Sequence, residues 1–136
     1  ATFMARAEAF EEELDAQMIV WGQNLAPIVT KEFVTLHDAF YYLADFATLE
    51  LAATFEPFPG KEPTPQYLRD LAEEIEEHNI SAMFSEPQLS TAGIESFARD
   101  AGIEIGVLDP LGGVTERDSY IDLIDFNIRA LIAALQ

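Results

Sequence analysis

The stretch that decides the fold is FVTLHDAFYYL, residues 33–43. Residues 33–36 have the aromatic and β-branched character of a short buried strand, and residues 38–46 read as a helix. Between them stands His37, one of only two histidines in 136 residues. A buried strand that passes into a helix is the opening of a β-α unit, so the fold turns on whether the rest of the chain repeats it.

Downstream it does. Residues 49–55, LELAATF, read as a second strand, and residues 56–65, EPFPGKEPTP, as a Pro/Gly loop. Thr64 caps a helix that has Pro65 in its first turn, Leu68, Leu71, Ala72 and Ile75 inside, and His78-Asn79 at its end. Residues 82–85 make a third strand. Ser90 or Thr91 caps a helix carrying Ile94, Phe97 and Ala98, which Gly102 closes. Residues 103–108, IEIGVL, make a fourth strand, DPLGG a turn, and Ile121, Ile124, Ile128, Leu131 and Leu135 the stripe of a last helix. Upstream, Phe3, Ala7, Phe10, Leu14, Met18, Trp21 and Leu25 recur at steps of three or four, an amphipathic helix that Pro27 stops. At ~1.5 Å per residue it exceeds ~30 Å, so it crosses the whole domain or reaches beyond it. Strands joined by helical connections predict an α/β fold: a four-stranded parallel sheet flanked by helices, over residues 28–136, preceded by a long helix over residues 1–27.

Composition narrows the partners. Apolar residues are 49% of the chain, enough to give a single domain a core. Seven Lys and Arg stand against 25 Asp and Glu, a net charge of −18. Such a surface repels phosphate backbones and anionic lipid, which argues against nucleic acid and membrane surfaces as partners. It is a solvated face, or one suited to a salty medium. The absence of cysteine removes disulfides, thiolate zinc sites and cysteine nucleophiles. No apolar run approaches the ~18–20 residues of a membrane span. The acidic start of the chain lacks the short apolar core of a signal peptide.

In doubly wound sheets, ligands gather at the carboxyl ends of strands. There the sequence places His37-Asp38, the 56–65 loop, Glu86 and Asp109, after the four strands in turn. His37 and Asp109 fall on one edge, and an imidazole nitrogen with a carboxylate oxygen is a sound ligand pair for a divalent transition metal. Each also has a plainer reading. His37 serves as a capping or core-edge histidine, and Asp109, before Pro and Gly-Gly, as ordinary turn chemistry. Asp38 is a natural helix N-cap. Glu86, in SEPQ, is either an acceptor that orients His37 or a common loop start. His78 suits the dipole at a helix C-terminus and reads as structural.

Other chemistries lack their parts. There is no Gly-x-Ser-x-Gly elbow and no GxxxxGK[ST] phosphate loop, and Lys31 and Lys61, the only lysines, are misplaced for a phosphate-accepting receiver domain. His37 as a general base, oriented by Asp109 or Glu86, would have neither nucleophile nor phosphate cradle beside it. A non-catalytic acidic α/β interaction domain is the other alternative.

Taken in order, FVTLHDAFYYL, the segment EPTPQYLRDLAEEIEEHNISAMFSEPQLSTAGIESFARDAGIEIGVLDPLGG, and DSYIDLIDFNIRALIAAL resemble the C-terminal lobe of metal-binding solute-binding proteins of ABC transporters, most closely the zinc-uptake branch. The opening ATFMARAEAFEEELDA resembles the helix that links the two lobes of that family. The resemblance implies one lobe of a periplasmic or extracytoplasmic receptor that captures Zn(II) and hands it to an ABC permease. It implies that His37 is a metal ligand, that Asp109 is a ligand or lies near one, and that Glu86 lies beside the site, with Asp38 next to His37 as a further supporting candidate. A manganese or iron receptor of the same fold is the nearest variant.

The family's N-terminal lobe, which supplies two further histidines, and its acidic, His-rich loop are missing from this sequence. On this reading the chain begins inside the linking helix, as an engineered, proteolytic or natural half. Two expectations follow. With His37 and Asp109 as its only ligands, a lone chain binds metal weakly, because zinc sites use three or four protein ligands. The uncovered helix and cleft favour a homodimer, and two copies meeting cleft to cleft would complete a His2Asp2 site.

Overall fold

The computed structural model describes residues 2–58 and 60–136. Ala1, in the segment 1–27 read as a helix, and Pro59, in the segment 56–65 read as a Pro/Gly loop, lie outside the described residues. The elements in chain order are α1 (Phe3–Leu25), β1 (Glu32–Thr35), α2 (Tyr41–Ala47), β2 (Glu50–Thr54), α3 (Pro65–His78), β3 (Ala82–Ser85), α4 (Ala92–Ala101), β4 (Glu104–Val107) and α5 (Tyr120–Leu135). The alternation of strand and helix read from the sequence is the alternation observed.

The four strands are parallel and lie in the order β2-β1-β3-β4. The chain steps from β1 to β2 on one side, then crosses back to place β3 and β4 on the other. The direction therefore reverses between β1 and β3, where an open α/β sheet forms its ligand crevice.

Alternation along the strands splits the core into two layers. Phe33 and Phe84 face one side, edge to face at 5.6 Å, and pack with residues of α1, α2 and α5. Val34, Leu36 and Met83 face the other and pack with α3 and α4. Burial of each such side chain contributes about 1.5–3 kcal/mol. β4 crosses close over one ring: a Cβ on Gly106 would stand 2.6 Å from Phe84, so only glycine fits there. Thr64 caps α3 by accepting from the Tyr67 N–H. His78 ends that helix with its Nδ1 2.8 Å from Glu32 Oε2.

Two local expectations are corrected. The second helix begins at Tyr41, not Asp38. Residues 36–38 form a bend, in which the Thr35 hydroxyl donates to the His37 carbonyl. The residue that precedes the helix is the buried Phe40, whose carbonyl accepts from the Ala44 N–H, and Asp38 is exposed and caps nothing. Thr91 does precede α4, but its hydroxyl bonds the Glu95 side chain instead of the backbone. The long helix, for its part, reaches beyond the domain. Only Trp21 and Leu25 of α1 are buried, with the indole N–H donating to Asp125 on α5, while Phe3, Met4, Phe10, Met18, Ile19 and Val20 are exposed.

Candidate metal centre

Parallel register builds the site. Thr35 pairs with Thr54 of β2 and with Phe84 of β3. Two residues further on, Glu56, His37 and Glu86 emerge side by side in a row along the carboxyl edge. Adjacent strands are about 4.8 Å apart, within reach of these side chains. Thr35 and Thr54 turn the chain in the same way, each hydroxyl donating to the carbonyl two residues on, His37 and Glu56 respectively.

The imidazole of His37 is held on both sides. Its Nδ1 lies 3.1 Å from Glu86 Oε1 and its Nε2 lies 2.8 Å from Glu56 Oε2. The Glu86 side chain is almost fully buried and the His37 side chain is 12% exposed, so the ring has little freedom. The Glu56 side chain, at 23% exposed, is the most open of the three and also accepts from the Gly60 N–H at 3.0 Å.

Asp109 occupies the other end of the edge, beyond β4, and its carboxylate is committed. Oδ1 accepts from Gln88 Nε2 at 2.7 Å and from the Leu111 and Gly112 N–H groups, each at 3.0 Å. Oδ2 takes the Arg117 guanidinium at 2.9 Å. The Asp109 backbone is locked as well, its N–H donating to Asn127 Oδ1 and its carbonyl accepting from Asn127 Nδ2. The residue is 1% exposed. Burial would raise its pKa, but the hydrogen bonds from Gln88, Gly112 and Leu111, with the Arg117 charge, outweigh burial and hold it below its ordinary value.

His37 and Asp109 are not in direct contact with each other in the fold. β3 lies between β1 and β4, about two strand spacings apart, and fills the gap from its own loop. Glu86 reaches His37 on one side and Gln88 reaches Asp109 on the other. Asp109 makes the turn contacts of its plainer reading, to the Leu111 and Gly112 N–H groups. Asp38, exposed in the bend, is not among the hydrogen-bond partners of His37. The sequence singles out the loop of Glu56 but not the residue; the shared pattern of a strand-ending Thr two residues before it and before His37 is the signal that points to it.

Among the described residues no group of three or more His, Asp or Glu side chains is arranged to hold a metal by itself. An apolar cleft of about 340 Å³ opens between α1, α2 and α5 and touches the Asp109 end of the edge. Among the described residues no helix is long and apolar enough to cross a membrane.

Comparison with known proteins bears on the fold and the family. Zinc-binding lipoprotein AdcA of Streptococcus pneumoniae serotype 4 is 33% identical over 135 residues, 96% of this chain and 27% of AdcA. The laminin-binding protein Lmb of Streptococcus agalactiae, described as an adhesin with metal-transporting activity, superposes with a TM-score of 0.87 at 25% identity, over 98% of this chain and 52% of that one. A Zn(II)-bound variant of AdcAII from Streptococcus pneumoniae superposes with a TM-score of 0.82 at 25% identity, over 99% of this chain and 49% of that one. The chain thus spans about a quarter of AdcA and about half of each solved structure. The family model described as zinc-uptake complex component A, periplasmic (ZnuA), matches residues 1–134, and the chain belongs to that family.

Proposed function

We propose that this chain is the C-terminal lobe of an extracytoplasmic Zn(II) receptor that delivers its ion to an ABC permease. It is a binding module and not an enzyme. The observation that carries the reading is His37: an imidazole at the switch point of a parallel sheet, fixed through Nδ1 by a buried carboxylate. Of the two ligands expected from the resemblance, His37 keeps that role. Asp109 is already engaged by Arg117 and three other donors, so we assign it to holding the loop after β4. The exposed apolar side chains of α1 and the cleft beside it are where the rest of the receptor docks, or a second copy when the lone chain is concentrated. A manganese or iron receptor differs in ligand type and coordination geometry, and competition among the three ions separates the versions.

Calorimetric titration of the 136-residue chain with Zn(II) tests the reading. One-site binding at about micromolar affinity or weaker is expected, since this lobe supplies fewer donors than a closed zinc site. His37→Ala should abolish it. A wild-type chain that takes up no Zn(II), or a His37→Ala chain that binds as well as wild type, contradicts the proposal.

A further inference from the structure

We infer that Glu56, carried on the loop after β2, is a cation ligand beside His37, so that this lobe presents a two-donor imidazole–carboxylate chelate. The inference rests on the receptor reading above and names a donor that reading does not contain.

Geometry is the first support. His37 Nε2 and Glu56 Oε2 are 2.8 Å apart. With metal–nitrogen and metal–oxygen bonds of about 2.0–2.2 Å, the N···O edge of a tetrahedral zinc site is about 3.3 Å. Opening the pair by about half an ångström makes room for the ion on the flank of the two atoms.

Donor inventory is the second. A neutral imidazole has one N–H, and an ionised carboxylate only accepts. His37 faces a carboxylate at each nitrogen. In a neutral ring whose N–H points to the buried Glu86, the Nε2 lone pair faces the Glu56 oxygen, and only a second proton or a cation between them relieves that contact. A bound cation satisfies both atoms at once, and Glu86 then fixes the tautomer that leaves Nε2 free to coordinate.

Availability is the third. Glu56 Oε2 accepts from one protein N–H, that of Gly60, besides facing the ring. The Asp109 carboxylate, by comparison, is engaged by four donors, one of them a guanidinium. Of the two carboxylates, Glu56 is the one that can turn to an ion without abandoning a buried charge.

The experiment is Zn(II) calorimetry on four chains: wild type, His37→Ala, Glu56→Gln and Glu62→Gln. Glutamine keeps a hydrogen-bonding group beside the ring and removes the charge. Glu62→Gln removes an equal charge from an exposed position on the same loop. Glu56→Gln should weaken binding by about tenfold or more, with a melting curve like wild type, and Glu62→Gln should change it little. If His37→Ala loses the ion while Glu56→Gln binds as wild type, the inference is overturned and the receptor reading stands. If the two glutamine variants weaken binding equally, diffuse charge is responsible and the inference is likewise overturned. If the wild type itself takes up no ion, the receptor reading fails and takes the inference with it.

Discussion

The two ends of one sheet edge carry the same chemical group and put it to opposite uses. At the β2-β1 end, Glu56 stands partly exposed against an imidazole, with one other hydrogen bond from the protein. At the β4 end, Asp109 is buried and receives four donors. A carboxylate left open is available to a ligand; one held by its own loop, by a neighbouring loop and by a guanidinium is tied into the scaffold. A strand-end position thus nominates a residue for function, and the hydrogen-bond inventory decides whether it remains available.

The largest test of this contrast compares two truncations. Asp109→Ala leaves the Arg117 guanidinium, Gln88 and two loop N–H groups without their acceptor. Its expected cost is about 3–5 kcal/mol, the range for breaking a buried ion pair from one side. That is a large share of the roughly 5–15 kcal/mol that holds a domain folded. Glu56→Ala removes the more exposed partner of a pair and should cost about 1 kcal/mol or less. Urea denaturation of both variants measures the difference, and equal losses would erase the distinction between the two ends.

A smaller effect is expected from the loop that wraps Asp109. Gly112 has φ +65°, and a Cβ there would stand 2.7 Å from the Arg117 carbonyl. Gly112→Ala should therefore cost about 1–3 kcal/mol. It should also loosen the turn that aims the 111 and 112 N–H groups at Asp109, while Zn(II) uptake at His37 stays near wild type. Denaturation and calorimetry on the same sample check both halves. Loss of Zn(II) uptake would mean that the two ends of the edge are coupled.

Much of this architecture was legible before any coordinates. Periodicity and Gly/Pro punctuation marked every element, and the rule that ligands gather at strand ends marked the edge. The lateral order of the strands was not legible, because each strand is a short apolar run and nothing in its own residues says which neighbour it pairs with. That order decides between the two readings of Glu86: with β3 beside β1 its carboxylate stands 3.1 Å from His37 Nδ1, the acceptor reading, and β4 with Asp109 lies one strand further off. Asp38 failed for a local reason: the Thr35 hydroxyl and the buried Phe40 delay the helix by one bend. The apolar stripe of α1 was read correctly as a helix, but periodicity cannot show which part of it packs on this domain.

The smallest expected effect is a matter of acid. The Asp109 carboxyl is more acidic in the folded chain than its ordinary value, because its hydrogen bonds and Arg117 favour the charged form more than burial disfavours it. A group with a depressed folded pKa contributes stability in full above its unfolded pKa, about 3.9, and loses it as the pH falls through the lower folded value. The chain carries 25 Asp and Glu, so the behaviour of wild type alone would not isolate Asp109. The informative quantity is therefore the difference between wild type and Asp109→Asn. Asparagine cannot ionise, so the advantage of wild type over the variant should be constant above about pH 5 and shrink steadily below about pH 4. Thermal melts of the two chains across that range measure it. An advantage that holds undiminished at low pH would show that the Asp109 charge does not stabilise the loop, and that its shape and hydrogen-bonding capacity alone hold the β4 end together.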